Sequence, residues 1–235
     1  LILGVGVMEG MTQRQLSAIL AHEYGHFAHK DTAGGNLAWQ VSHAMQQATW
    51  GLALNNLAKW YNPAWLFINA FNRIFLRVTL GASQLQEVLA DRYAAISFGA
   101  KAFAEGLTHV IRRSIEFNFT TNKELEKAFA EKRQPANLYA LVAPSEGDEH
   151  ENIETQLAQA MNHPMSEYDS HPPAKQRIEW VYRLKIAEAR LETDGAVWDL
   201  LPQRAVLEES ETRALYEQVV ANIQYQQEIK RQLTA

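Results

Sequence analysis

Two histidines and a glutamate near the N-terminus have the spacing of a metal site on a helix. They belong to a run with the pattern H-E-x-x-H, formed by His22, Glu23, Tyr24, Gly25 and His26. Residues four apart lie on one face of an α-helix, about one turn from each other, so both imidazoles can reach the same ion. The glutamate beside the first histidine would then lie next to a water molecule bound to that ion. This arrangement predicts a zinc hydrolase.

The surrounding residues predict the helix that this spacing requires. Thr12 can act as an N-cap, and Gln15 three positions later would complete a capping box. Apolar side chains give the helix a side that can be buried, at Leu16, Ile19, Leu20 and Phe27. We therefore expect one helix over residues 11–31, with a stop at Gly34 and Gly35. The alternative is a helix that carries two surface histidines by chance.

A zinc hydrolase needs a third protein ligand and an open fourth position. The common extension H-E-x-x-H-x-x-G-x-x-H is excluded because its last two fixed positions hold His29 and Thr32. His29 could be an accessory ligand, but a solvated position in the last helical turn suits it better. Glu87 is the better candidate, because its expected helix, residues 85–98, places Asp91 one turn further along the same face. Asp91 could then accept a hydrogen bond from a ligating histidine; the alternative is that both are ordinary polar residues.

Four motifs along the chain resemble those of one peptidase family. They are Met11-Thr12 ahead of Leu20-Ala21-His22-Glu23-Tyr24-Gly25-His26, then Asp31, then Glu87-Val88-Leu89-Ala90-Asp91, and finally Ser170-His171-Pro172-Pro173 followed by Arg177-Ile178. In order and placement they resemble the membrane zinc endopeptidases that include HtpX and the CAAX prenyl proteases. The resemblance covers residues 1–185.

The resemblance implies a gluzincin site with one zinc ion. In such a site His22, His26 and Glu87 would bind Zn²⁺, and Glu23 would be the general base. Asp91 would orient one of the ligating histidines. Zinc lowers the pKa of a bound water molecule to about 7 and polarises the scissile carbonyl.

Two further residues receive roles from the resemblance. His171 would stabilise the oxyanion or occupy the fourth coordination position of the metal. Arg177 would pair with Asp91 or Glu87. The alternative for His171 and the two prolines after it is a rigid turn that starts the next helix.

Composition limits the function classes that need consideration. The chain has 235 residues, of which 47% are hydrophobic, enough for a packed core in one substantial domain or two small ones. The net charge of −5 gives no electrostatic footprint for nucleic acid. The absence of cysteine excludes disulfides and thiolate zinc ligands, although it does not fix the cellular compartment.

These features predict a mainly α fold, a zincin-like metallopeptidase domain whose β structure is limited to an N-terminal strand over residues 1–7. Since the chain begins with Leu1 and this strand suggests the interior of a domain, we expect a fragment truncated at the N-terminus. No signal peptide is visible. We expect the catalytic domain over 1–195 and a helical extension over 196–235, with its long helix at 205–233.

The most apolar stretch, residues 64–82, has two interpretations. Polar residues interrupt it at Asn69, Asn72, Arg73 and Arg77. Because charges in mid-membrane are costly, the stretch suits a helix lying in the membrane interface. It equally suits an amphipathic helix packed on the catalytic core. In the first case, residues 37–82 form a helical hairpin against the membrane.

The leading hypothesis is therefore a zinc endopeptidase that cleaves protein or peptide substrates at a membrane, in protein quality control or processing. Prenyl-protein processing is a narrower variant of it. The full-length protein would be membrane-associated, with its catalytic domain on the cytoplasmic side or, alternatively, the periplasmic side. The competing hypothesis is a helical, membrane-associated interaction module with a structural or inactive zinc site. Glu23 argues against it, because a structural site needs no general base.

Overall fold

The described part of the chain is mainly helical. This computed structural model describes residues 4–28, 31–163, 171–186 and 194–234, except for the side chains of 27, 28, 31–39, 228, 233 and 234. The α-helices are α1 (Gln13–Ala28), α2 (Asp31–Leu54), α3 (Pro63–Phe98), α4 (Ala100–Ala130), α5 (Asp148–Asn162), α6 (Ala174–Arg183) and α7 (Arg204–Thr234). Short 3-10 turns occur at Val5–Val7, Leu138–Ala140 and Val197–Leu200. The predicted mainly α fold is confirmed.

The predicted N-terminal strand is wrong where the structure describes it, because Val5–Val7 forms a 3-10 turn. A strand needs a neighbouring strand to pair with, and the described residues contain only an isolated bridge between Thr12 and Ala196. The turn instead brings the backbone of Gly6 against an aromatic ring, since a Cβ there would lie 3.1 Å from Phe117. Residues 1–3 lie outside the described part of the chain.

Contacts divide the chain into two compact units. The first unit comprises Leu1–Leu16, Gly106–Ala160 and Leu191–Ala235, and the second comprises Ser17–Glu105 and Met161–Arg190. In the second unit α3 packs against both α2 and α6. Small buried side chains dominate its core, at Ala18, Ala21, Ala90, Ala94, Ala95, Ala100, Ala102 and Ala104, and Phe103 is the largest. Small residues permit the close helix packing on which the candidate site depends.

Two glycine positions did not end helices as expected. The predicted stop at Gly34 and Gly35 is wrong, because α2 already begins at Asp31 and continues through both residues. A glycine costs a helix only about 1 kcal/mol relative to alanine, which packing against a neighbouring helix can offset. The apolar stretch 64–82 and the expected helix 85–98 are also not separate elements. Both belong to the 36-residue helix α3.

In the first unit, the segment before α1 is held by the segment around residue 196. The Gln13 N–H donates to the Gly195 carbonyl (2.8 Å), and the Val197 N–H donates to the Met11 carbonyl (3.0 Å). Met11 and Val197 are both buried. The predicted capping box is confirmed: the Thr12 N–H donates to Gln15 Oε1 (3.0 Å), and the Gln15 N–H donates to the Thr12 hydroxyl (3.2 Å). These bonds define where the metal-site helix starts.

The predicted C-terminal helix over 205–233 is confirmed by α7. Two of its polar side chains, Glu208 and Thr212, are buried in the first unit and bonded to the connection between α4 and α5. Asn137 Nδ2 donates to Glu208 Oε2 (2.8 Å), and the Leu138 N–H donates to the Thr212 hydroxyl (3.1 Å). A boundary between catalytic domain and extension at residue 195 stays a prediction. Within the described ranges, no helix is both long enough and apolar enough to cross a bilayer.

Within the first unit, His109 on α4 is a partly buried titratable group that bonds to the N-terminal turn. Its Nε2 lies 3.0 Å from the Val7 carbonyl, so the ring N–H donates there. Burial, and secondarily the charge of Arg113, lower the pKa of His109 below its ordinary value of 6.5 and outweigh the opposing bond to Val7. The folded state therefore favours the neutral ring.

We expect the free energy of unfolding to fall as the pH drops below about 6.5, because the unfolded chain then binds a proton that the folded chain binds only at lower pH. His109→Gln keeps a donor for Val7 but does not titrate. Chemical denaturation between about pH 8 and about pH 5 should show a smaller decrease for this variant than for the wild type. Equal decreases would contradict this account of His109.

Candidate metal centre

Helices α1 and α3 lie in close contact where the two sequence motifs meet. A Cβ added to Gly25 would lie 2.9 Å from the Ala90 Cα and 3.1 Å from its Cβ, both too close for ordinary contact. Gly25 lies inside the H-E-x-x-H run, and the fully buried Ala90 lies inside the E-x-x-A-D run. The absence of a side chain at Gly25 therefore lets α1 bring its histidines to the carboxylates of α3.

Three side chains converge at this crossing with their ligand atoms turned toward one another. His22, His26 and Glu87 each offer one atom, and these atoms lie within 4.8 Å of one another. The Nε2 atoms of His22 and His26 are 3.3 Å apart. His26 Nε2 lies 3.3 Å from Glu87 Oε1, and His22 Nε2 lies 3.6 Å from Glu87 Oε2.

These separations fit a tetrahedral zinc ion. Two ligand atoms that each lie about 2.05 Å from a metal, at the tetrahedral angle, are about 3.3 Å from each other. Glu87 Oε2 is buried and accepts no hydrogen bond from the described residues, and Arg177 Nη2 lies 3.3 Å away. A buried carboxylate oxygen without a donor is costly unless a cation completes its surroundings. The donor set of two imidazoles and one carboxylate is one that zinc accepts.

Asp91 holds the first histidine in the tautomer that a metal needs. Its Oδ1 lies 2.9 Å from His22 Nδ1, so that nitrogen donates and leaves the Nε2 lone pair facing the site. Arg177 donates twice to the same carboxylate, from Nε to Oδ2 (2.9 Å) and from Nη2 to Oδ1 (2.6 Å). Burial alone would raise the pKa of Asp91, but the hydrogen bonds from Arg177 and His22 outweigh it and lower that pKa. Asp91 is therefore ionised at neutral pH.

Arg177 is buried as a cation among these acids. Burial would lower the pKa of its guanidinium, but the bond to Asp91 and the charges of Asp91, Glu87 and Glu23 raise it. Its Nη2 lies 3.5 and 3.4 Å from the two ring nitrogens of His22. Since Nδ1 of that ring already donates to Asp91, the nearly equal distances place the guanidinium over the ring face instead of in a hydrogen bond.

Phe103 at the start of α4 closes the other side of the centre. Its ring is fully buried, with its centroid 6.1 Å from that of His22 and 5.8 Å from Arg177 Cζ. Phe103 gives no signal in the sequence, because a buried phenylalanine on a helix resembles any other core residue. For the pair Gly25 and Ala90, the available sequence signal was a glycine inside a helix.

Comparison with the profiles of known protein families identifies the family of this chain. The profile of Peptidase family M48 matches residues 2–184. The chain belongs to Peptidase family M48. The resemblance to HtpX and the CAAX prenyl proteases is thereby confirmed, and the protein is a metallopeptidase, a hydrolase acting on peptide bonds. Neither the curated proteins nor the solved structures contain a match to the chain.

In this M48 peptidase two of the remaining candidate residues, His171 and Glu23, lie near the metal centre. His171 is exposed, and its Nδ1 lies 2.9 Å from Glu87 Oε1. The turn interpretation also holds there, because Pro172 is buried and Pro173 caps α6. Glu23 is partly buried on α1, close enough to act on Arg177. His29 and Ser170 lie outside the described residues, and the side chain of Asp31 is not described.

We expect Gly25→Ala to weaken metal binding in this M48 peptidase, because the new methyl group meets the backbone of Ala90 and must push α1 and α3 apart. The overpacking should cost about 1–3 kcal/mol of stability, and zinc affinity measured by competition with a chelator should fall. The matched control is Gly81→Ala on α3, where a Cβ meets nothing within 4 Å. Unchanged zinc affinity in a folded Gly25→Ala protein would show that the close crossing does not position the ligands.

Proposed function

We propose that the protein is a zinc-dependent endopeptidase in which His22, His26 and Glu87 bind one Zn²⁺ ion. The observation that carries this proposal is the set of separations of 3.3, 3.3 and 3.6 Å among their ligand atoms. Charge supports it as well. The formal charges of Glu23, Glu87, Asp91 and Arg177 sum to −2, which a divalent cation neutralises.

In the proposed peptide hydrolysis each residue of the centre has a separate role. His22, His26 and Glu87 would hold a zinc ion, which would supply polarisation of the scissile carbonyl and a water molecule with a pKa of about 7. Glu23 accepts the proton of the attacking water and delivers it to the leaving amine. Asp91 keeps His22 in the ligating tautomer. Arg177 holds Asp91 in its ionised form and in its orientation.

His171 can have one of two roles, which differ in the protonation state that they require of its ring. A neutral ring with its lone pair on Nδ1, the nitrogen that faces Glu87 Oε1, suits the fourth coordination position in a resting state. A doubly protonated ring can donate from Nε2 as well, which suits stabilisation of the oxyanion. The exposure of the ring leaves it accessible to a substrate in both cases.

We expect Glu23→Gln to abolish proteolysis while zinc remains bound. General-base catalysis contributes about 10²–10⁴ in rate, and the amide cannot accept the proton. The measurements are the rate of casein cleavage and the zinc content by mass spectrometry, with Glu126→Gln, an exposed residue on α4, as the control. Cleavage by Glu23→Gln at the wild-type rate would contradict the assignment of Glu23 as the general base. Wild-type protein that binds zinc and cleaves nothing would favour a structural site in an interaction module.

The setting we propose is a membrane, with protein substrates cleaved in quality control or processing and the catalytic domain on the cytoplasmic side. The support is the motif resemblance to HtpX and the CAAX prenyl proteases, together with the apolar hairpin of α2 and α3 between the two zinc-ligand motifs. We infer this cellular role by analogy with those family members.

A further inference from the structure

The second half of helix α7 is exposed to solvent, whereas its first half is packed on the first unit. Near its start, Glu208 and Thr212 are buried against the connection between α4 and α5. Tyr216 then stacks on Phe129, with ring centroids 5.6 Å apart. Beyond these contacts most of the described side chains of α7 are exposed. The matched family profile ends before this helix begins, so the family does not account for it.

The exposed half of α7 has the heptad pattern of a two-stranded coiled coil. Side chains at alternating spacings of three and four residues form one narrow stripe, at Val219, Asn222, Gln226 and Ile229. In heptad letters the first and third of these take position a, and the second and fourth take position d. Ile223 at position e and Tyr225 at position g flank them and are 41% and 63% exposed. We call these six residues the α7 stripe.

The types of residue along the centre of the α7 stripe read the same in both directions. An apolar residue lies at each end, and an amide residue lies at each of the two inner positions. Val219 and Ile229 are both five residues from residue 224, and Asn222 and Gln226 are both two residues from it. If two copies pair antiparallel about residue 224, apolar side chains therefore face apolar side chains. Each amide faces an amide, to which it can both donate and accept a hydrogen bond.

Charge favours the antiparallel orientation over the parallel one. One acid gives residues 217–223 a net charge of −1, and one acid with two cations gives residues 225–231 a net charge of +1. An antiparallel pair places the acidic half of each helix beside the basic half of the other. A parallel pair places like charges together, which is unfavourable.

The packed start of α7 also disfavours a parallel pair. Glu208 and Thr212 take positions d and a of the same heptad register, and the connection between α4 and α5 occupies that side of the helix. Paired helices lie about 8–10 Å apart, so a parallel partner would bring a second unit to the level that the first already fills. An antiparallel pair centred on residue 224 separates the two Thr212 residues by about 36 Å along the helix axis.

We propose that the α7 stripe binds the α7 stripe of a second copy of this chain, antiparallel about residue 224, and that the protein dimerises in this way. The amide pairs set the register, because a shift of one helix along the other would bury an amide against an apolar side chain. The proposal concerns a surface outside the metal centre and depends neither on zinc nor on peptidase activity.

The test is the molar mass of the zinc-loaded full chain by sedimentation equilibrium, over about a hundredfold range of protein concentration. We expect a monomer–dimer equilibrium. The double variant Val219→Gln, Ile229→Gln keeps good helix formers but removes the apolar layers, so its dimer should be weaker by about a hundredfold or more. The matched control is Val206→Gln with Val220→Gln, both at position b outside the α7 stripe, and it should dimerise like the wild type.

Disulfide trapping tests the orientation without relying on stability. The chain contains no cysteine, so each introduced thiol is the only one. Asn222→Cys and Gln226→Cys proteins are mixed under oxidising conditions. Antiparallel pairing predicts that the mixed disulfide is the main product, because these two positions face each other across the core at a distance that a disulfide can bridge. The control mixture, Ala221→Cys with Gln227→Cys, is equally centred on residue 224 but lies on the outer side, and it should form little disulfide.

Each contrary outcome overturns a stated part of the proposal. A wild type that stays monomeric at every concentration would show that a second copy does not occupy the α7 stripe. A dimer that the double variant leaves intact would place the contact on another surface. Disulfides that join like positions would show a parallel pair. Casein cleavage by the double variant should continue at the wild-type rate, so loss of the dimer and loss of the peptidase are recognised separately.

Discussion

The close crossing of α1 and α3 at Gly25 and Ala90 is the constraint on which the metal centre depends. Each helix supplies an incomplete site by itself: α1 has two imidazoles, and α3 has the carboxylates of Glu87 and Asp91. A side chain larger than hydrogen at Gly25 would meet the backbone of the other helix. The convergence of ligand atoms at about 3.3 Å therefore follows from a packing distance, and the small residues that set this distance lie within the motifs themselves.

Buried charge is the second requirement, and it connects stability to chemistry. Asp91 and Arg177 form a bidentate pair in which each group compensates for the desolvation of the other. That pair is built around His22, whose tautomer it determines. Within the described part of the chain, Glu87 Oε2 accepts no hydrogen bond, and Arg177 Nη2 lies 3.3 Å from it. One guanidinium thus faces the three acids Glu23, Glu87 and Asp91, a balance of charge that suits an additional divalent cation.

Features that depend on residues close together in the chain could be predicted from the sequence. Features that depend on tertiary packing could not. The histidine spacing and the capping box depend on a single helical turn, so local pattern sufficed. Glu87 lies 61 positions after His26, and only its motif identified it. The stop expected at Gly34 did not form, because neighbouring helices override a weak propensity. Phe103 carried no signal, since its role comes from tertiary contact alone.

The central claim is that one zinc ion occupies the point where His22, His26 and Glu87 converge. Its most direct test is a crystal structure of the zinc-loaded protein with anomalous difference maps collected on both sides of the zinc absorption edge. The account predicts one strong zinc peak about 2.0–2.2 Å from His22 Nε2, His26 Nε2 and a Glu87 carboxylate oxygen. A zinc peak bound by other residues, or no peak at these three in zinc-saturated crystals, would contradict it.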